Sequence, residues 1–288
     1  MDDRNKHYAE LYFAENTNDI GKKIDFFSSM TNCLFELANN PFERRIQIKS
    51  HQSILEAKAY RFAFANNSII SLIKGTKVKI LDKEINSIDI DSLNSITRMQ
   101  IETFLILFYL VFDKVEDEIK DFRLNIYKLH ALQKQNNFEI SADFIDTENS
   151  RKKIKLEIEE AIDAIKQSNL FQQANETKKK EYLNPRYAKL IESKQLFERS
   201  GIQKSRIDQM WSIYSNYAHS EYISDRQHYC RVINPNSKVE TISLILDINK
   251  MLTSRLIWNL KLLYNENVEK YDSFDLKDKV HIETWKDI

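Results

Sequence analysis

Two groups of side chains in this sequence have the types and spacing to do chemistry. The first is Arg98 with Glu102 in Ile96-Thr-Arg-Met-Gln-Ile-Glu-Thr-Phe-Leu-Ile-Leu-Phe-Tyr-Leu. Four residues apart, they share a helix face, and that face runs on through Leu105, Ile106 and Tyr109 into a very apolar stretch. Charges at the end of a core-facing stripe must be paired, because an isolated buried charge costs too much. The pair reads either as a salt bridge fixing helix register or as a site in which Arg98 holds an anionic group and Glu102 orients it. The second group lies in Trp211-Ser-Ile-Tyr-Ser-Asn-Tyr-Ala-His-Ser-Glu-Tyr222, where Asp208, Ser212, Ser215 and His219 follow steps of four, three and four along one helical stripe. A histidine with hydroxyls one and two turns upstream suits a general base or a hydrogen-bond anchor, since its pKa lies near neutrality. The structural alternative is a half-buried His219 satisfied by those hydroxyls. A Ser-His-Asp triad does not follow, because no strained turn exposes either serine and Asp208 sits three turns from His219.

Other chemistry is sparser. His219 and His228 lack further ligands for a metal, and Cys33 and Cys230 are far apart with no CxxC spacing, so neither a metal site nor a disulfide framework is expected. No cofactor is expected either. Arg255 in Thr-Ser-Arg-Leu-Ile-Trp either pairs with an acid such as Glu102 or is solvated.

The elements that position these residues must be helices. The chain of 288 residues has 3 glycines and 3 prolines. Phosphate-cradling loops, nucleophile elbows and dinucleotide fingerprints all need glycine where the backbone turns tightly or approaches a ligand, so any chemistry comes from side chains on helix faces. Lys+Arg and Asp+Glu number 43 each, which leaves no overall field for nucleic acid, and 42% hydrophobic residues suffice for a core. The polar N-terminus reads as no signal peptide, and the apolar run from Thr103 to Phe112 is too short for the ~20 residues a membrane span needs. That run reads as a buried core helix, the chain as cytoplasmic, and no membrane partner is expected.

Along the chain, helical periodicity covers Ile24 to Ala38, stopped at Pro41, and then about Phe42 to Lys74, stopped by Gly75. Alternation from Thr76 to Ile90 reads as a short hairpin or extended connector. A helix capped by Asp91 or Ser92 runs to about Lys114, another covers Val115 to Gln135, and Phe138 to Asn149 connects to an amphipathic stretch from Arg151 to Gln167. Lys178-Lys179-Lys180 reads as a solvated face. Capping-box patterns at Ser205/Asp208 and Ser237/Glu240 open two last helices, to about Tyr222 and Asn265. The fold class is all-α, a bundle of long helices with a small β-hairpin near residues 76–90. Either residues 1–90 form an N-terminal helical region beside a bundle over 91–288, or the whole is one domain.

An arginine-x-x-x-glutamate opening a very apolar helix, followed downstream by Tyr-Ser-x-x-Ala-His, resembles uncharacterised bacterial helical proteins similar to the HEPN (higher eukaryotes and prokaryotes nucleotide-binding) superfamily. The matching stretch is about residues 91–265. HEPN ribonucleases are helical bundles, often dimeric, with Arg-polar-x-x-x-His near a helix end, and the resemblance implies that arginine and histidine act on the RNA 2′-hydroxyl and phosphate. The histidine is then His219 and the polar residue Ser215, but Tyr214 stands where the family has arginine. Tyrosine supplies no permanent charge for a phosphate, and stabilising such charge is usually the largest catalytic term. The expected function is therefore a non-catalytic, degenerate HEPN-like binding or interaction module of a bacterial cytoplasm, in a host-defence or toxin–antitoxin setting. Its ligand-binding residues are Arg98, Glu102, Tyr109 and Tyr214, and its partners a second copy, RNA or another protein. The alternatives are a metal-independent ribonuclease using His219 and Ser215, and an oligomerising helical scaffold.

Overall fold

Apolar side chains recurring every three or four residues, with few glycines or prolines to interrupt them, give a chain that folds almost wholly into helices. The computed structural model describes residues 3–17, 19–80, 82–138, 147–206, 210, 214, 226, 229 and 235–288. The protein is all-α with one small antiparallel hairpin. In chain order the elements are α1 (Asp3–Asn16), α2 (Ile20–Glu43), a 3-10 turn (Ser50–Gln52), α3 (Leu55–Ile73), β1 (Thr76–Ile80), β2 (Lys83–Ser87) and α4 (Ile90–Leu107). A π-helical turn (Phe108–Phe112) follows, then α5 (Asp117–Asn136), α6 (Thr147–Gln167), α7 (Asn169–Gln172), α8 (Glu176–Leu183) and α9 (Ser193–Arg199). The last described elements are α10 (Pro235–Leu263), α11 (Asn265–Asp272) and α12 (Leu276–Lys286).

Several boundaries differ from those the sequence suggests. Helix α2 passes through Pro41 and ends at Glu43. The proline sits in the last turn, where it removes one ladder bond, that to the Leu37 carbonyl, and its ring is buried in the core. No helix starts at Phe42. Arg45, with φ of 52°, turns the chain into the left-handed region, and the buried 3-10 turn follows before α3. Asp89 caps α4 in place of Asp91 or Ser92, its Oδ1 accepting from the Ser92 N–H at 3.0 Å. Pro235 opens α10 in the first helical position, where its missing N–H is harmless, so Ser237 lies inside the helix. Most of the helix expected from Ser205 to Tyr222 lies outside the described residues.

The hairpin is where the sequence placed it, with Val78 paired to Ile85. Gly75 ends α3 at φ +80°, and a Cβ there would stand 2.3 Å from Asn86 Oδ1. Asn86 in turn donates to the Lys74 carbonyl at 3.0 Å, so only glycine fits this junction. The stretch Ile90–Phe112 is long and apolar enough to cross a membrane by composition, and 56% of its most apolar window is buried within the protein. Such burial is that of a core helix.

The chain forms two compact units interleaved in sequence. Unit 1 holds residues 1–47, 54–107 and 201–288, and unit 2 holds 48–53 and 108–200. In unit 1, α10 packs against α2, α4, α11 and α12, and α3 packs against α2 and α4. In unit 2, α5 packs on α6 around Phe122, Ile126, Leu129, Ala161 and Ile165.

The unit 1 core carries a belt of buried amides and hydroxyls. Asn66 of α3 donates to Thr31 of α2 at 3.2 Å and to Thr253 of α10 at 3.0 Å. Its Oδ1 accepts from Gln100 of α4 at 2.6 Å, while Asn249 of α10 donates to Thr97 of α4 at 3.0 Å. These bonds join four helices at one level and specify their register. Replacing Asn66 by alanine leaves Gln100 with only its bond to the Phe62 carbonyl and takes the donor from both hydroxyls, which keep their bonds to the Phe27 and Asn249 carbonyls; the loss costs about 2–3 kcal/mol. Urea unfolding of Asn66→Ala is expected to show that loss, while the exposed neighbour Asn67→Ala stays within about 0.5 kcal/mol of wild type.

Candidate functional site

Four charged side chains meet where α1, α2 and α10 come together in unit 1. Asp19 caps α2 by accepting from the Lys22 N–H at 3.0 Å, which keeps the α1–α2 corner short. Glu15, in the last turn of α1, thereby comes to stand beside Lys23, in the first turn of α2. Asp247 and Lys250 project from α10 one turn apart. Lys23 Nζ lies 2.9 Å from Glu15 and 3.5 Å from Asp247, and Lys250 bonds Glu15 and lies 3.0 Å from Asp247. Each lysine thus touches both acids. Lys23 also donates to Ser243 Oγ at 2.6 Å.

Both ammonium groups are sealed, with Lys23 1% and Lys250 0% exposed. Burying one such charge costs several kcal/mol, which only close opposite charges and hydrogen bonds offset. Burial holds Lys250 below the usual lysine value, with Asp247 and Glu15 opposing the shift. Its Nζ also lies 4.0 Å from the centroid of the Trp285 ring of α12, a cation–π contact in a desolvated setting. One turn earlier on α12, His281 is 0% exposed and its ring packs 4.0 Å from that of Phe26. Neither ring nitrogen of His281 nor the indole N–H of Trp285 has a hydrogen-bond partner among the described residues. Unsatisfied buried polar atoms are rare in folded proteins and concentrate where function has set aside packing.

This block forms one wall of a cavity of about 650 Å³. Glu15, Asp247 and Lys23 line it together with Arg206, and its polar rim includes Asn16, Gln203 and Ser205. The apolar part is Met210, Leu244, Ile248, Met251, Trp285 and Ile288. A concave site with apolar walls and a few convergent polar groups is the usual build of a small-molecule pocket.

The residues singled out by sequence are placed differently. Arg98 and Glu102 form their ion pair at 2.8 Å on α4, and neither lines this cavity. Tyr109 fastens unit 2: its hydroxyl accepts from the Leu190 N–H at 3.1 Å and the Arg123 guanidinium stands 4.6 Å from its ring centroid. Burial pushes the Tyr109 hydroxyl up to about 12. Tyr214 is sealed at 1% exposure. Ser215 and His219 lie outside the described residues, as do Asp208, Ser212 and His228. Arg255 is buried, not solvated, and donates to the Gly201 carbonyl at 3.2 Å. Among the described residues no cluster of histidine, cysteine or acidic side chains has the arrangement of a metal site.

Sequence reading missed the lysine–acid block, although a signal exists. Lys23 occupies the same helical stripe as Phe27, Met30, Leu34 and Leu37, and Lys250 lies between Leu246 and Met251. A lysine on a core stripe announces a buried partner. Set against known proteins, the chain matches no protein-family model, no curated protein and no solved structure.

The buried imidazole makes stability pH-dependent. Burial, then the charges of Lys277, His7 and Lys250, lower His281 from 6.5 to about 3. Its contribution is complete above pH 6.5 and is lost as pH falls toward 3, because the unfolded chain takes up a proton that the folded chain refuses. One such proton is worth about 1.4 kcal/mol per pH unit. Urea midpoints between pH 7 and pH 4 are expected to fall for wild type and to fall less steeply, by that one proton, for His281→Leu.

Proposed function

We propose that this chain is a non-catalytic, HEPN-like helical binding module of a bacterial cytoplasm, and that the unit 1 cavity is its ligand site. The observation that carries the reading is the wall of that cavity. Glu15, Asp247 and Lys23 line it, with Lys250 buried behind them against both acids, beside open space of about 650 Å³. A core needs no such block, since well-packed apolar residues of similar volume usually serve stability as well or better. Perturbed and buried titratable groups gathered at a cleft are characteristic of functional sites.

The non-catalytic part of the reading draws on position 214. Where the resembled ribonucleases carry arginine, this chain has a tyrosine with 1% exposure. A sealed phenol offers no charge to a phosphate in solution.

Two measurements test the proposal. A fluorophore–quencher RNA incubated with wild type and with His219→Ala is expected to show no cleavage in either. Cleavage by wild type that His219→Ala abolishes, at unchanged Tm, overturns the non-catalytic reading. For the cavity, 8-anilinonaphthalene-1-sulfonate is expected to bind wild type saturably with one site. Leu244 is 41% exposed on α10 and lines the cavity, so Leu244→Trp fills the space without entering the core. That variant is expected to weaken dye binding at least about tenfold, and equal binding by both proteins removes the cavity as the site.

A further inference from the structure

The charges around the cavity do not all cancel. Glu15 and Asp247 are each bridged by both Lys23 and Lys250, so this block of two cations and two anions is closed and neutral. Its ammonium groups are buried and already committed to carboxylates. Among the described side chains that line the cavity, Arg206 is the cation outside this block. It lines the same cavity and is half-buried, and no carboxylate of the described residues lies within ion-pair distance of it. The guanidinium of Arg255 is near enough for the two to repel, with Asp287 offsetting part of that charge. A half-buried guanidinium facing a cavity beside a second guanidinium creates a local positive potential, and low-dielectric walls strengthen it.

The remaining surface of the cavity defines what else a ligand carries. Met210, Leu244, Ile248 and Met251 with the Trp285 ring give an apolar lining able to cover a flat or aliphatic body. Gln203 and Ser205 also line the cavity and supply further hydrogen-bonding groups. Arginine presents its donors as a planar fork that matches two oxygens of a carboxylate, sulfonate or phosphate.

We infer that the cavity takes an amphipathic organic anion: the anionic head is held by Arg206 with Gln203 and Ser205, and the apolar body lies against Trp285 and Met251. The inference rests on the reading of the cavity as a ligand site and adds the chemical class of the ligand.

The test compares 8-anilinonaphthalene-1-sulfonate with N-phenyl-1-naphthylamine, which has the same aromatic body without the sulfonate. Fluorescence titrations use the full chain as wild type, Arg206→Ala, Arg206→Lys and Leu244→Trp. The expected result is a Kd for the sulfonate at least about tenfold below that for the neutral probe. Arg206→Ala should erase that difference, Arg206→Lys should keep part of it, and Leu244→Trp should weaken both probes. If both probes bind wild type equally and both are lost in Leu244→Trp, the cavity binds ligands but the anion preference is wrong. If Arg206→Ala leaves the sulfonate preference intact, Arg206 is not the group that holds the head. If Leu244→Trp affects neither probe, the cavity reading itself falls. Arg206 is half-exposed, so its variants are expected to keep the wild-type Tm, which separates lost binding from lost folding.

Discussion

The corner where α1, α2 and α10 meet depends on two lysines that cannot reach water. A buried ammonium is tolerable only where carboxylates stand within a few ångströms, so Lys23 and Lys250 dictate where Glu15 and Asp247 must be. That requirement sets the angle of the α1–α2 corner, the rotation of α10 about its axis and the seat of Trp285 against Lys250. Slipping α10 by one residue would turn Asp247 and Lys250 away from their partners. The four-charge block therefore acts as a register lock, and the amide belt at Asn66, Gln100 and Asn249 acts as a second lock along the same helix. Apolar stripes alone would let these long helices settle at several offsets, because one leucine ridge fits a groove much as the next does.

Unit 2 uses the same physical device at a different scale. Asp113 is buried directly after the π-helical turn and accepts from Arg123 at 2.7 Å and Arg199 at 3.0 Å. Arg123 also donates to the Tyr109 carbonyl at 2.9 Å, one of the groups a π turn leaves poorly served by its own ladder. The guanidinium thereby fixes the turn, stacks on the Tyr109 ring and neutralises the acid with one side chain. Tyr109 completes the arrangement by accepting from Leu190, which ties the segment before α9 to the turn. With so few glycines available, the chain marks its irregular points with charged side chains in place of permissive backbone. Gly75, wedged against Asn86, and Gly201, at φ +79°, are the exceptions that show what a tight junction otherwise demands.

These features were legible from sequence to different degrees, for physical reasons. Helix periodicity and the Gly75 stop were readable because they depend on local spacing and on backbone conformation, both written into consecutive residues. The hairpin was readable for the same reason. Pro41 misled, because the helix runs on past it despite a lost ladder bond, and the burial that accompanies this is a tertiary fact. The Arg98–Glu102 pair was visible as an i,i+4 spacing and forms as such, yet it stands apart from the cavity lining. The lysine–acid block joins residues more than two hundred positions apart, so no window of sequence contains it. What a window does contain is its shadow: one lysine on each of two otherwise apolar stripes.

The same reasoning separates structural charge from recognising charge. A buried ion pair whose members satisfy each other is closed to ligands, because displacing either partner leaves the other stranded at a cost of several kcal/mol. Lys23, Lys250 and Arg123 belong to that class, and each is held on at least two sides. Arg206 does not: among the described residues no carboxylate lies within ion-pair distance of it, and it lines the cavity. A cation in this state lowers stability slightly wherever it faces another, as Arg206 faces Arg255. The neutral block supplies rigidity without competing for the ligand, and the arginine supplies the attraction.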